Sequence, residues 1–475
     1  MTELAPRRPP LSVLRFLRSF FGTGPDQPLR SDDPAAIRRV YESARWSVFL
    51  SVTFGYGFFY VARINFSVLK DPLLRANLLD PSEMGIIGSA MLCTYAVGRL
   101  VNGVLADRAN IRRFMSVALL LSAGVNLLLG ATRWGFASFL LLWALNGWFQ
   151  SVGSAPSVVA LSQWFGRRER GTRYGIWSAS HSIGEGLTFA VTAQVVAWLG
   201  WRAGFAGPGL ACGLASLILL RTLADRPQTY GLPPVSAYRG EEPDEAPREV
   251  AAGLGGRSIG QDIGRAQLEV IRHPAVWVLS LASACMYVAR YGMSSWGPLF
   301  LQQNKGYSLK AAGAVMSLYP VAEIAGSVSA GIISDRLFGS SRNVPAFLFG
   351  LLEVGSLLAL LRIPPGHRWL DGLALVGFGY ALGGLLVYLG GLMAVDLVPR
   401  RAAGAAMGVI GVWSYLGAAV QDLVSGYLTR ATKGAGEATY DLAPAMRVWI
   451  GAAAASVLLT LLVWRARPRR AVDAS

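Results

Sequence analysis

The stretch Phe54-Gly-Tyr-Gly-Phe-Phe-Tyr-Val-Ala-Arg-Ile-Asn-Phe66 decides the class of fold. It is apolar and aromatic, and it belongs to a run beginning at Trp46 that is long enough to cross a bilayer. Arg63 lies near the end of this run, although an arginine at membrane depth costs roughly 3 kcal/mol or more. A second stretch, Ala284-Cys-Met-Tyr-Val-Ala-Arg-Tyr-Gly-Met293, repeats the pattern with Arg290, 227 residues later. The two arginines predict one anion held between two halves of a membrane protein.

The composition excludes an ordinary soluble protein. Of 475 residues, 53% are hydrophobic and only 15% are charged, and apolar runs of about 20 residues recur along nearly the whole chain. The net charge is +16, but the Lys and Arg lie mainly in short loops between these runs. This placement favours membrane topology and anionic lipid over nucleic acid as the reason for the charge. Three cysteines, Cys93, Cys212 and Cys285, lie inside apolar runs and are expected to be packed small residues.

The sequence predicts an all-α membrane protein with twelve transmembrane helices. The predicted spans are 46–68, 84–106, 113–131, 136–164, 172–198, 203–223, 274–302, 311–333, 344–362, 370–396, 402–430 and 444–465. The only long polar segment between spans, 225–272, is predicted to be a central loop that divides the chain into six-helix bundles at 46–224 and 273–465. Residues 1–45 and 466–475 are predicted to be tails. Basic residues concentrate in these tails, in the central loop and in alternate short loops, so both termini are expected to be cytoplasmic.

The two halves share a loop motif. Gly103-Val-Leu-Ala-Asp-Arg108 returns as Gly331-Ile-Ile-Ser-Asp-Arg336, 228 residues later and again after the second span of its half. Ordinary basic turns selected by topology alone are the alternative, but the shared pattern at an equal offset favours a duplicated unit. Parallel repeats of six spans predict the major facilitator fold, with a substrate site between the halves near the midplane. The residues predicted to act in gating are Asp107, Arg108, Asp335 and Arg336.

Several segments carry a resemblance to a known family. They are Tyr56-x3-Tyr60-x2-Arg63-x-Asn-Phe66, Leu145-Asn-Gly-Trp-Phe-Gln150, Trp177-x3-His181, Asp225-Arg-Pro-Gln-Thr-Tyr-Gly-Leu-Pro-Pro234 and Trp413-Ser-Tyr-Leu-Gly417. Over about residues 40–430 the chain resembles the organophosphate:inorganic phosphate antiporter family, which includes bacterial glycerol-3-phosphate and hexose-phosphate transporters. Trp201-Arg-Ala-Gly204 and Tyr415-Leu-Gly-Ala-Ala419 are similar to its branch of membrane sensors for external glucose 6-phosphate, which signal to a histidine kinase.

The resemblance implies roles for individual residues. Arg63 and Arg290 match the paired arginines that hold the phosphate, and a guanidinium group can donate bidentate hydrogen bonds to phosphate oxygens. The other matching positions are His181, Arg99, Tyr56, Tyr60, Tyr388 and Tyr415. Structural roles stay open for all of them: ion pairs with Asp422, Glu323 or Glu353 for the two arginines, and packing or hydrogen bonding for the rest.

Four departures from the family pattern bear on the substrate. One is the turn Ser154-Ala-Pro-Ser157, and the other three change the charge. Ile64 stands where a lysine commonly follows the first arginine, Glu185 replaces a glycine, and Asp422 puts an acid into the eleventh span. Glu185 follows His181 by four residues, so the two side chains are predicted to be neighbours on one helix face. We expect Glu185 and Asp422 to modulate the substrate site.

The resemblance implies an alternating-access transporter that exchanges an organic phosphate, such as a sugar phosphate or glycerol phosphate, for inorganic phosphate across the bacterial inner membrane. One alternative is a transporter-like sensor of external hexose phosphate that signals to a histidine kinase. Another is a proton-coupled symporter of a different organic anion, using Glu185, His181 and Asp422. No enzymatic activity, catalytic residue, cofactor or metal site is expected. The expected partners are the two phosphates and the lipid bilayer, and the chain is expected to be a monomer.

Overall fold

The described part of the first half is mainly helical. The computed structural model describes residues 20–131, 135–241, 273–339, 342–393, 403–432 and 439–464. The first-half helices are α1 (Pro34–Arg75), α2 (Pro81–Ala106), α3 (Ile111–Ala131), α4 (Phe136–Gln150), α5 (Ser154–Trp164), α6 (Arg167–Leu187), α7 (Ala193–Leu199) and α8 (Trp201–Thr222). A π-helical turn, Thr188–Thr192, joins α6 to α7 into one continuous span. A 3-10 turn at Pro227–Tyr230 and the short α9 (Val235–Arg239) follow α8.

The second half repeats this plan. Its helices are α10 (Pro274–Lys305), α11 (Leu309–Met316), α12 (Leu318–Leu337), α13 (Asn343–Arg362), α14 (Arg368–Val387), α15 (Ala403–Leu428) and α16 (Ala443–Leu462). A π-helical turn, Tyr388–Leu392, extends α14, and α11 runs into α12 as one span. An antiparallel pair of short strands, β1 (Arg430–Thr432) and β2 (Thr439–Asp441), links α15 to α16 and was not predicted.

Eleven spans of the described chain are long and apolar enough to cross a membrane. The remaining predicted span, 136–164, is present as two helices, α4 and α5, which are interrupted by a turn at 151–153. Neither piece alone reaches the length of a membrane crossing, but together they match the predicted fourth span, 136–164. The structure therefore has the expected two halves of six spans.

Local capping explains where the first two helices begin. The Asp33 side chain accepts hydrogen bonds from the N–H groups of Ala35 and Ala36, and Asp80 forms a reciprocal capping box with Glu83. Both helices then start at a proline, which suits the first helical position because its missing N–H has no helical partner there. Helix α1 consequently begins well before the apolar run at Trp46.

Parts of the predicted N-terminal tail and central loop are ordered and packed, which changes the predicted boundaries of the first bundle. The Arg30 N–H donates to the Gly231 carbonyl at 2.9 Å, so residues before α1 lie against the segment that follows α8. The ring of Tyr238, in α9, stacks on Tyr41, in α1, with centroids 3.9 Å apart. Residues 20–45 and 225–241 are thus part of the first bundle, because apolar and backbone contacts hold them there. The rest of both predicted segments, 1–19 and 242–272, and the tail 466–475 lie outside the described residues.

Among the described residues, the closest contacts between the two halves lie toward one end. Helices α1 and α2 of the first half pack against α10 and α15 of the second, and α6 packs against α12. At the end where α1 finishes, a Cβ on Gly85 would lie 2.7 Å from the carbonyl of Asp422, so the helices touch backbone to backbone. Toward the opposite end, a cavity of about 420 Å³ opens between α2, α10 and α15. We call these the closed end and the open end.

Candidate functional site

Arg63 lies on α1 between the two halves, and it is 6% exposed. Its guanidinium carbon is 4.0 Å from the centre of the Tyr60 ring and 5.2 Å from that of Tyr95. Its Nε has no hydrogen-bond partner, and no carboxylate within the described residues lies within ion-pair distance of it. A buried cation without an acidic partner at ion-pair distance is costly, so this site favours an anion.

Arg290 lies on α10 and differs from Arg63 in having an acid partner. Its Nη2 is 3.1 Å from an oxygen of Glu323, on α12, and His181 Nε2, on α6, lies 3.4 Å from the same oxygen. The other oxygen of Glu323 has no hydrogen-bond partner. The ion pair with Glu323, which the sequence left open as a structural role for Arg290, is therefore present in this structure. Glu323 occupies the guanidinium group that would bind phosphate. An arriving anion would compete with Glu323 for Arg290.

Aromatic rings surround the two arginines. Tyr56 stacks on Trp177 at 4.7 Å and meets Tyr60 edge to face at 5.5 Å. Tyr415, on α15, packs on Tyr95 at 4.8 Å, and the guanidinium carbon of Arg99 is 5.5 Å from its ring centre. The predicted residues that meet here are Arg63, Arg290, His181, Arg99, Tyr56, Tyr60 and Tyr415.

The structure adds three tyrosines to this cluster that were not predicted. Tyr95 lies under Arg63, whereas Tyr287 and Tyr291 pack on Tyr415 at 5.6 and 6.1 Å. Tyr287 follows Tyr60 by the same 227 residues that separate the two arginines, and Tyr-Val-Ala-Arg is identical in both stretches. The internal repeat therefore contained the signal for Tyr287. Tyr95 and Tyr291 have no such equivalent.

Other predicted residues lie away from the cluster. The Tyr388 hydroxyl donates to the carbonyl of Ala330 at 2.7 Å, and its ring packs on Phe349, both within the second half. This placement corrects the expectation that Tyr388 faces the substrate, because its polar atom is already used between α12 and α14. The four predicted gating residues are exposed at the open end: Asp107, Arg108, Asp335 and Arg336. Asp335 also forms an ion pair with Arg342 at 2.7 Å.

Glu185 is buried between the halves, but its hydrogen-bond partners do not include His181, the predicted neighbour. Its carboxylate accepts hydrogen bonds from the hydroxyls of Ser294, on α10, and Tyr319, on α12. His181 instead contacts Glu323 and the carbonyl of Ser178. The spacing of four residues placed Glu185 and His181 on neighbouring turns correctly, but both side chains bind partners from the second half.

A second charged cluster lies toward the closed end and was missed in part. Lys70, two turns after Arg63 on α1, is fully buried, and its Nζ is 3.7 Å from Asp422. Ser295 accepts a hydrogen bond from Lys70 at 2.8 Å and donates one to Asp422 at 2.7 Å. The indole N–H of Trp296 donates to the same carboxylate oxygen at 2.5 Å. Lys70 lies beyond the predicted end of the first span, which is why the sequence did not reveal it.

Cavities lie on two sides of the arginine and tyrosine cluster. A cavity of about 40 Å³ lies between Arg63 and Asp422, with Ser67 and Ser294 in its walls. On the other side, the cavity of about 420 Å³ is lined by Arg99, Tyr287 and Tyr415 and leads to the open end. The part of the chain described by the structure contains no cluster of His, Cys, Asp or Glu suited to a metal. The site offers cations, hydroxyls and aromatic faces to a small anion.

Two six-span halves with a cationic site between them define the class of polytopic membrane transport proteins. The chain belongs to the Major Facilitator Superfamily, because the sequence model of this family matches residues 52–421. It is 33% identical over 395 residues to a probable hexose phosphate transport protein of Chlamydia trachomatis, covering 82% of this chain and 85% of the relative. It is 32% identical to the membrane sensor protein UhpC of Salmonella typhimurium, covering 85% and 89% of the two chains. The predicted resemblance to organophosphate transporters is confirmed.

A solved structure supports the fold independently. A bacterial homologue of the human lysosomal transporter Spinster, in an inward-facing and unoccupied conformation, has a TM-score of 0.67 to this chain with 19% identity. The match covers 81% of this chain and 82% of the other. The predicted major facilitator fold is therefore confirmed.

Proposed function

We propose that the protein exchanges an organic phosphate for inorganic phosphate by alternating access in a bacterial inner membrane. The observation that carries this proposal is Arg63, a buried guanidinium between the halves with tyrosine rings around it and no carboxylate partner among the described residues. The named functions of the relatives, hexose phosphate transport among them, support a phosphate ester as the anion. The substrate class comprises sugar phosphates and glycerol phosphate.

The ion pair of Arg290 supplies a mechanism for coupling binding to movement. In the state described here, Glu323 neutralises Arg290 across 3.1 Å, and both groups are buried. A phosphate dianion bound to Arg63 would draw Arg290 away from Glu323, because two charge-assisted hydrogen bonds replace one ion pair. Glu323 would then keep its contact with His181 Nε2, at 3.4 Å. The exchange joins α1, α6, α10 and α12 around the phosphate, and these helices belong to different halves.

We further propose the cytoplasmic orientation of both termini. The excess of Lys and Arg in the loops at the open end supports this orientation. The open end then faces the cytoplasm and the closed end faces outward. The protein would release or bind its substrate on the cytoplasmic side in this state.

The test is phosphate exchange in proteoliposomes. Vesicles loaded with labelled inorganic phosphate should release it when hexose phosphate, glycerol phosphate or phosphoglycerate is added outside. Arg63→Lys should weaken binding about tenfold to a hundredfold, because losing a charge-assisted contact costs about 1.5–3 kcal/mol. Arg202→Lys, at an exposed position near the closed end, is the matched control and should exchange normally. Normal exchange by Arg63→Lys would contradict the assigned role.

A membrane sensor is the second candidate, and the similarity to UhpC favours it. The same arginines would then bind a hexose phosphate without moving it. Saturable binding of a hexose phosphate together with no exchange in proteoliposomes would support the sensor. Exchange with inorganic phosphate would support the transporter.

A further inference from the structure

A second basic cavity lies on the first half, away from the site between the halves. Its volume is about 490 Å³, and it lies where the polar beginning of α1 meets the end of α8. Its polar lining comprises Arg30, Arg39, Ser43, Ser47, Thr222 and Tyr230. We call it the α1–α8 cavity.

The walls of the α1–α8 cavity are held in place. The backbone of Arg30 is fixed by its hydrogen bond to the Gly231 carbonyl. Gly231 adopts φ +66°, and a Cβ there would lie 2.5 Å from the carbonyl of Pro28, so this close approach requires glycine. At the floor, the Ser47 hydroxyl donates to the carbonyl of Thr222 at 2.7 Å and ties α1 to α8. The cavity is therefore a built feature of the first bundle.

The charge of the cavity is uncompensated. Arg30 and Arg39 are exposed, and neither forms an ion pair with any residue that the structure describes. Arg45, one turn and a half along α1, contrasts with them, since it binds both Glu42 and Glu169. Two free guanidinium groups together with hydroxyls match the oxygens of a phosphate group.

The surface next to the cavity is apolar and suits acyl chains. On α1, Leu50 is 47% exposed and Phe54 is 66% exposed, immediately beyond Ser47. On α8, which packs against α1, Leu214 and Ile218 are also exposed. Trp46 marks the boundary, as tryptophan does where a helix enters the membrane. A phosphate pocket directly above lipid-facing side chains has the amphipathic layout of a phospholipid.

We propose that the α1–α8 cavity binds the headgroup of an anionic phospholipid, with its acyl chains along Leu50 and Phe54. Basic pockets at the membrane surface recognise anionic headgroups in this way. A zwitterionic lipid carries an ammonium group that the two arginines repel, so it binds less well. A soluble phosphate lacks the acyl chains and forgoes the apolar contact.

The experiment uses the full chain, purified in detergent and stripped of lipid. Phosphatidylglycerol or phosphatidylcholine is added in steps, and retained lipid is counted by native mass spectrometry. One phosphatidylglycerol should be retained at concentrations at which phosphatidylcholine is not. Arg39→Gln should weaken this retention at least tenfold. Arg38→Gln is the matched control, because Arg38 is also exposed on the same turn but does not line the cavity.

Each contrary outcome overturns the proposal in a different way. Equal retention of both lipids would show apolar adhesion without headgroup recognition. Equal loss in the Arg38 and Arg39 variants would show a diffuse charge effect. Displacement of the lipid by millimolar inorganic phosphate would assign the cavity to a free anion. Arg30 also lines the cavity but lies on the segment before α1. Arg30→Gln should therefore weaken lipid retention as Arg39→Gln does, and unchanged retention in Arg30→Gln would count against the site.

Discussion

The ion pair between Lys70 and Asp422 is expected to hold the closed end shut. The two groups are 0% and 4% exposed and come from different halves, α1 and α15. Gly88 makes room for the acid, since a Cβ at this position would lie 1.8 Å from an Asp422 oxygen. When the closed end opens, the halves must separate here, so the pair exists in one of the two states only. Asp422→Asn is the sharpest perturbation because it keeps the shape and removes the charge.

The size of the effect follows from the geometry. At 3.7 Å and an effective dielectric constant of about 20, the attraction is about 4 kcal/mol. Leaving one member of a buried pair without its partner costs roughly 3–5 kcal/mol. In the state with this end open, Lys70 meets water and escapes most of that cost. Asp422→Asn should therefore shift the equilibrium toward that state by about 3 kcal/mol, which is more than a hundredfold in population.

The assay is labelling of a cysteine at Ser67, which is 5% exposed and lines the small cavity between the halves. The three native cysteines are first replaced by serine. An impermeant maleimide added outside intact cells should label this cysteine much faster in Asp422→Asn than in the parent. Adding Lys70→Met should return the rate toward the parent, because the stranded charge is gone. The coupling measured by this cycle should be about 2–3 kcal/mol.

A buried pair within one half provides the control. Lys305 and Asp371 lie 3.1 Å apart, are 3% and 0% exposed, and both belong to the second half. Asp371→Asn should lower the melting temperature without changing the labelling of Ser67→Cys. Labelling in Asp422→Asn that matches Asp371→Asn would show that the Lys70–Asp422 pair does not hold the closed end, and so would a double variant that labels as fast as Asp422→Asn alone.

Three further predictions concern the site and its orientation. Glu323→Gln should tighten inorganic phosphate binding about tenfold and slow exchange, because the carboxylate that competes for Arg290 is gone. Isothermal titration measures the phosphate affinity, and an unchanged affinity would contradict this role of Glu323. Glu185→Gln should change the preference among phosphate esters in exchange, because it removes a negative charge buried between the halves; an unchanged ranking of the esters would exclude Glu185 from the site. Cysteines at Ala237 and Ala76, both exposed, should respectively resist and accept an impermeant thiol reagent in intact cells. The reverse pattern would overturn the orientation.

The sequence by itself determined the membrane class, the two halves and the paired arginines. Apolar length sets where helices can cross a bilayer, and a charged residue inside such a run must face protein, so Arg63 and Arg290 were identifiable without a structure. Helix period also placed Tyr56, Tyr60 and Arg63 on one face. These are properties of a single helix or of the repeat, and each can be read from local spacing.

Only the tertiary structure decided which side chains meet. The period of a helix fixes the face on which Glu185 lies, but not that Ser294 and Tyr319 lie opposite. The partners Lys70 and Asp422 are separated by most of the chain, and they meet because α1 and α15 happen to pack at one end. Partner choice between helices depends on their axial shift and rotation, which arise from packing across the whole bundle. Local sequence does not contain that information.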